Sequence, residues 1–294
     1  MSNPAEHSTA LAILAAAGVG VQVGVATVAS RFALIESEPF ALGAMRYAIG
    51  VLCLLPFVLR GPRVAFAPRD LLPVALLGIV QFGVLIALLN IGLLYIPAGR
   101  AAVVFAVFPL LTMLFAAALG REALTLRKTA GVLLTMAGVA VALGDKVLAG
   151  DGQHWLGEAA VFLAAACGAT CSVLYRPFLQ RYPALQVSAF AMFASVIFLL
   201  PFAAWRGLFA GWPAYGAGTW AAIMFVGLSS GIAFFALLWA LSKMTPTRVT
   251  VFQALAPLTA AALGFLFLGE SLSVSFIAGL CLVASGLWVA LGAQ

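Results

Sequence analysis

Residues 96–144 return, without a gap, as residues 244–292, at an offset of 148 and with 15 of 49 positions identical. Arg100 falls on Arg248, Pro109 on Pro257, Glu122 on Glu270, Gly131 on Gly279 and Gly138 on Gly286. A chain built this way folds as two copies of one unit, so its architecture must accommodate an internal pseudo-symmetry. The units are also too apolar for water: 65% of the chain is hydrophobic and 8% charged, against about 25% charge in soluble domains. Apolar runs follow one another with short interruptions, each near the roughly 20 residues that cross about 30 Å of hydrocarbon. In lipid every backbone group must be paired within its segment, so the runs read as helices rather than an open sheet.

Ten spans are predicted, at 9–29, 40–59, 71–92, 98–119, 129–147, 156–175, 184–203, 218–241, 247–268 and 272–291. Proline or glycine marks several junctions: Pro39, Gly61-Pro62, Pro97, Gly150, Pro183, Gly211-Trp212-Pro213 and Pro246. The first run lacks a Lys/Arg-rich start and nine more follow it, so it reads as a retained span and not a signal peptide. Fainter echoes extend the repeat backwards, Arg31 matching Arg176 and Pro39 matching Pro183. The predicted fold is therefore an all-α integral membrane protein of ten helices in two five-helix repeats, 1–149 and 150–294.

An odd number of spans per copy inverts the second copy in the membrane. Charge supports the inversion. Loops 2–3, 4–5, 6–7 and 8–9 carry ten Lys and Arg residues and the opposite loops four, which places both termini in the cytoplasm. Within the repeat, loop 4–5 holds Arg121, Arg127 and Lys128, whereas the matching Gly269–Ser275 stretch has lost every one of them and kept the glutamate. Opposite leaflets give the copies a reason to differ in this way.

Several function classes drop out. The net charge of +6 is spread between spans, with no basic stripe or tail for nucleic acid. Cys53, Cys167, Cys171 and Cys281 all lie in apolar runs, and no His or Asp joins them, so neither a metal site nor a cofactor is expected. Gly18, Gly20 and Gly24 lie inside a span and read as close helix packing, not a nucleotide loop. No nucleophile–base set appears, which argues against an enzyme. No Asp or Glu occupies the middle third of a span, so a carboxylate proton relay is unsupported, although Glu158 lies about a turn inside the sixth span.

Pro109 and Pro257, matched by the repeat, sit near the middle of the fourth and ninth spans, where each should bend its helix and free a carbonyl. They are candidate hinges, or else they curve the helix for packing alone. Buried polar groups in hydrocarbon need partners, either other helices or a solute. The candidates for a solute cavity are Gln22, Gln81, Asn90, Tyr95 and Thr112 in the first half, with Ser172, Tyr175, Ser229, Ser230, Trp239, Thr250 and Gln253 in the second.

Arg46 is the one charge clearly inside a span. The simplest expectation is that its long stem snorkels to the outer headgroups; otherwise it faces the bundle and attracts a carboxylate or phosphate. Arg100 and Arg248 each start a proline-bearing span, suiting either gating contacts or interfacial anchoring. Glu122 and Glu270 are expected to cap the first amides of the fifth and tenth spans. Gly131, Gly138, Gly279 and Gly286 permit close helix approach, inside a monomer or across a homodimer.

Taken together, Pro39 with Arg46, the Ala98–Ala102 run leading to Pro109, Gly120-Arg121-Glu122 before Gly131 and Gly138, and the second-copy Pro257, Gly269-Glu270, Gly279 and Gly286 resemble the drug/metabolite transporter superfamily, in its EamA-type ten-helix exporters. Within it the chain looks like the YddG branch, bacterial inner-membrane exporters associated with aromatic amino acids. The resemblance implies a cavity lined by spans one, three, four, six, eight and nine, with five and ten peripheral, and alternating access between cytoplasm and periplasm. The expected partners are a small-molecule substrate, an amino acid, and membrane lipid. The alternatives are a drug or other metabolite exporter of the same fold, or a structural or regulatory membrane protein that moves nothing.

Overall fold

The computed structural model describes residues 4–61, 64–96, 98–147, 155–208, 214–268 and 274–291. They form ten helical rods: α1 (Pro4–Ala33), α2 (Pro39–Arg60), α3 (Pro68–Gly78, Ile79–Val84 and Leu85–Tyr95), α4 (Ala98–Phe105 and Phe108–Ala118), α5 (Leu126–Val147), α6 (Trp155–Leu174, with a further turn Arg176–Leu179), α7 (Ala184–Trp205), α8 (Ala217–Lys243), α9 (Pro246–Thr250, Val251–Ala254 and Leu255–Leu268) and α10 (Val274–Leu291). Every predicted span has its rod, and each end lies within about five residues of the expected one. Pro62, Pro97, Gly150, the 211–213 junction, His154 and Glu270 fall outside the described residues.

Six of the rods, α1, α2, α3, α6, α7 and α8, are continuous, long and apolar enough to cross a membrane. Leu14, Leu59, Leu72, Ile197, Ile232 and Trp288 are exposed on the outside of the bundle, where only lipid would make such a surface favourable. The arrangement is the inverted-repeat, ten-helix topology expected from the sequence.

The two halves are interleaved, because helices of one pack closely on helices of the other. A methyl group added at Gly131 or Gly138 of α5 would lie 2.5 Å from the Ala290 amide nitrogen or 2.7 Å from that of Val283 on α10. One added at Gly286 of α10 would lie 2.6 Å from the Thr135 nitrogen. These glycines therefore serve a contact within one chain. Gly20 and Gly24 of α1 abut the Phe252 and Ala256 carbonyls of α9. Their counterpart is Gly168 of α6, at offset 148 from Gly20, which faces the Phe108 ring of α4. Gly18 differs from its expected role: it faces open space. On the other side Gly50 of α2 meets Gly231 of α8, and Gly78 of α3 meets the Ala191 backbone of α7.

Both proline-bearing rods are broken at the same place. In α4 the helix stops at Phe105 and resumes at Phe108, and two tight bonds span the break, Ala106 N to Val103 O at 3.1 Å and Val107 N to Val104 O at 3.3 Å. In α9 residues 251–254, the repeat equivalents of 103–106, form a 3₁₀ turn. A proline cannot donate to the carbonyl four residues before it. Pro109 thus leaves the Phe105 carbonyl, and Pro257 the Gln253 carbonyl, without its α-helical donor.

Candidate functional site: a cavity between the halves

The rods enclose a narrow central cavity beside these two breaks. Val19, Val23, Thr27 and Ser30 of α1, Arg46 of α2, Gln81, Leu85, Ile86, Leu89 and Leu93 of α3, Phe105 and Phe108 of α4, Phe234 and Leu237 of α8, and Gln253 of α9 form its wall. Phe105 and Gln253, whose carbonyls lose their α-helical donors, are both in that wall and are repeat equivalents. Its volume of about 40 Å³ is room for about three waters, fewer than the heavy atoms of even the smallest amino acid. Holding an organic solute requires the rods to part. Among the described residues α6 adds nothing to this wall, since it packs behind α4, and α2 takes a place through Arg46.

Arg46 does not snorkel. It is 4% exposed, and its Nε donates to Ser230 Oγ of α8 at 2.7 Å. Its guanidinium carbon lies 5.7 Å from the Tyr47 ring centre and 6.0 Å from that of Phe234, within range of a cation–π attraction. Tyr47, Phe82 and Phe234 form a ring cluster with centroids 4.7–5.7 Å apart beside it. A hydroxyl acceptor and aromatic faces inside outweigh a distant headgroup.

Gln81 and Gln253 are both buried, and each keeps a side-chain oxygen without a hydrogen-bond partner. Gln81 lies in the middle piece of α3, Ile79–Val84, a π-helical turn in which Leu85 N reaches Val80 O. Such turns insert one residue into a helix and often mark functional positions. Ser30, also without a partner for its Oγ, lies in the wall too, as does Thr27, whose hydroxyl donates to Val23 O at 2.7 Å.

The other candidate residues lie elsewhere. Gln22 donates to Ser229 Oγ at 2.9 Å, joining α1 to α8. Asn90 donates to Pro39 O at 3.0 Å. Thr112, Ser172 and Thr250 turn their hydroxyls to carbonyls of their own helices, Phe108, Gly168 and Thr247. Tyr175 is buried at the end of α6 with an unpartnered hydroxyl. Tyr95 is exposed at the end of α3, and Trp239 lines a separate recess between α7 and α8 with Gln186 and Lys243. Pro257 flanks a smaller neighbouring void together with Gly24 and Thr27, and Pro109 is buried in the first turn of the second piece of α4.

Polar latches close both ends of the bundle. At the end bearing the α1–α2, α3–α4, α5–α6 and α7–α8 loops, Arg31 donates to the carbonyls of Leu93 and, at 2.9 Å, Ile96, where α3 terminates. A cation there also meets the negative end of the helix dipole. Arg100 pairs with Glu158 at 2.6 Å, tying the start of α4 to the first turn of α6. Glu38 caps α2 by accepting from Phe40 and Ala41, and Glu36 accepts from Gly216 N at 2.7 Å before α8.

At the opposite end Gly120, in the left-handed region at φ 65°, ends α4 in a turn where Arg121 N returns to Ala116 O. The reversal delivers Glu122 to α9: its Oε1 accepts from Thr247 N at 3.1 Å and its Oε2 pairs with Lys128 at 3.1 Å. The expected cap on α5 is corrected accordingly. Glu122 precedes Leu126 by too much to be its cap; Thr125 takes that position and accepts from Lys128 N. Arg121 donates to Val173 O near the end of α6, and buried Asp70 holds Arg181 at 3.3 Å and Tyr182 at 2.8 Å. Arg248 is half-buried in the first turn of α9.

Sequence reasoning overlooked Arg31 and Ser30, treating the first as a surface charge. The available signal was spacing: Val23, Thr27 and Ser30 fall on one helical face that Arg31 ends.

The EamA-like transporter family matches this chain twice, over residues 10–144 and 155–292. A probable terminal-alkyne amino-acid exporter of Streptantibioticus cattleyicolor is 30% identical over 216 residues, 73% of this chain and 70% of its own. An uncharacterized transporter of Archaeoglobus fulgidus is 27% identical over 90% of this chain and 93% of its own. A solved crystal structure at 24% identity shares the fold, with a TM-score of 0.80 over 98% of this chain and 99% of its own. The chain belongs to the EamA-like transporter family, as a multi-pass secondary transporter of small solutes and not an enzyme.

Proposed function

We propose that the chain exports small amino acids and related metabolites, aromatic amino acids among them, across the bacterial inner membrane by alternating access. The observation that carries this reading is the cavity wall itself. It joins one cation, Arg46, and four neutral polar residues, Thr27, Ser30, Gln81 and Gln253, to the aromatic residues Phe105, Phe108 and Phe234. Such a mixture suits a solute with a polar head and an apolar body. The S. cattleyicolor relative is named for amino-acid export, which agrees with it.

With both termini in the cytoplasm, the orientation that the Lys/Arg bias supports, Arg31 and Arg100–Glu158 close the periplasmic end and Glu122–Thr247 and Asp70–Arg181 the cytoplasmic end. Releasing one set while the other holds exposes the cavity to one side at a time. Pro109 and Pro257 supply the matched bends about which α4 and α9 move, and Arg100 and Arg248, at the starts of these rods, move with them. The units at work are the five-helix repeats 1–149 and 150–294.

Counterflow in proteoliposomes tests the reading. Labelled phenylalanine, tryptophan and leucine should exchange with saturation, and lipophilic cations should compete poorly. Exchange of none of the amino acids refutes the substrate class; strong competition by unrelated lipophilic cations favours a drug exporter.

A further inference from the structure

Arg46 brings a positive charge into the centre of the bundle without bringing a negative one. Among the described residues no carboxylate pairs with it, and only its Nε has a hydrogen-bond partner, Ser230 Oγ. Its two terminal nitrogens have no hydrogen-bond partner among the described residues, and Arg46 lines the cavity. A buried cation is costly unless an anion joins it, and a guanidinium edge matches the two oxygens of a carboxylate in parallel. In the wall of the same small space the side-chain oxygens of Gln81 and Gln253 are acceptors without a partner, and Ser30 Oγ is a hydroxyl that can also accept. A guanidinium and partnerless acceptors in one cavity wall describe the complement of a zwitterion.

Resting on the transport reading above, we infer that Arg46 is the anchor for the solute's carboxylate and that Gln81 and Gln253 receive its ammonium group. The substrate class is then narrower than small solutes: it is carboxylates, and above all α-amino acids with free amino and carboxyl groups. Amines and lipophilic cations meet an uncompensated positive charge and are rejected. Ser230 is a positioning residue, holding the guanidinium so that its free edge points at the solute. The repeat gives no second arginine, because Arg46 has no charged counterpart in α7, where Ala191, Met192 and Phe193 occupy the comparable stretch. One cation at a pseudo-symmetric crossing fixes one orientation of the solute.

The test uses the intact chain in proteoliposomes, with labelled phenylalanine in counterflow and four unlabelled competitors: phenylalanine, phenylalaninamide, phenylethylamine and 3-phenylpropionate. Losing a charge-assisted pair should weaken the amide and the amine at least about ten-fold relative to phenylalanine. Arg46→Gln should raise the half-saturating phenylalanine concentration by a similar factor and erase the discrimination, while Arg46→Lys recovers part of it. Gln81→Leu should weaken phenylalanine more than 3-phenylpropionate. The wild-type competition needs no variant to fold. Equal competition by phenylalaninamide and phenylalanine overturns the anchor while leaving amino-acid export standing. Arg46-dependent exchange of 3-phenylpropionate without phenylalanine sustains the anchor and overturns the amino-acid reading. Exchange of no carboxylate overturns both.

Discussion

Glu122→Gln should shift the transporter toward the state open at the end where α9 begins. The carboxylate is nearly inaccessible, with 3% of its side chain exposed, and it serves two partners, the Thr247 amide and Lys128, itself 14% exposed. A glutamine still accepts from the amide but gives up the charge, its attraction to the first turn of α9 and the Lys128 pair. Hydrogen bonds to charged groups contribute about 1.5–3 kcal/mol, so a net loss of about 2 kcal/mol is expected. If this latch exists only while that end is closed, the closed-to-open ratio falls roughly thirty-fold. Ser30→Cys, in a background lacking the four native cysteines, reports the change: labelling by a membrane-impermeant thiol reagent should rise from the α9 side and fall from the other. Arg31→Gln, which unties α1 from the end of α3, should produce the reverse. Unchanged labelling, or a shift in the same direction for both variants, would show that these bonds do not act as opposed latches.

Further outcomes follow from other contacts. Pro109→Ala with Pro257→Ala restores donors to the Phe105 and Gln253 carbonyls, so exchange should slow several-fold with membrane insertion intact; wild-type rates in counterflow would reduce both prolines to packing residues. Gly138→Leu puts a side chain into the Val283 backbone and should lower the detergent melting temperature sharply, as read by fluorescence-detected size exclusion; an unchanged transition would mean that α5 and α10 are not in contact. Asn90→Ala removes a buried bond to Pro39 and should destabilise by about 1 kcal/mol in the same assay, leaving the competitor profile in counterflow unaltered.

The helices were readable because apolar runs of membrane length leave the backbone few alternatives, and the breaks were readable because proline's missing donor is a covalent fact. The π turn at Ile79–Val84 was not. It sits where Gly78 and Gly83 of α3 meet Ala191 and Phe198 of α7, a contact between segments more than a hundred residues apart. The direction of Arg46 escaped for a related reason: Ser230 and Phe234, which hold it inward, belong to α8 in the other half. Hydroxyls were the least legible group. Thr112, Ser172 and Thr250 look in sequence like Ser30, yet they are spent on their own helices, whereas Ser30 faces the cavity. Aromatic character alone could not separate Tyr95 and Trp239, which lie outside the cavity, from Phe105 and Phe108, which wall it.

The most direct measurement combines access with occupancy. Ser30→Cys is labelled from each face of oriented vesicles, with and without phenylalanine, in otherwise cysteine-free chain. A single cavity that opens alternately and holds the solute predicts labelling from both faces and saturable protection by phenylalanine at both, with the same half-maximal concentration when it is equilibrated across the membrane. Labelling from neither face, or labelling that no amino acid slows, contradicts it.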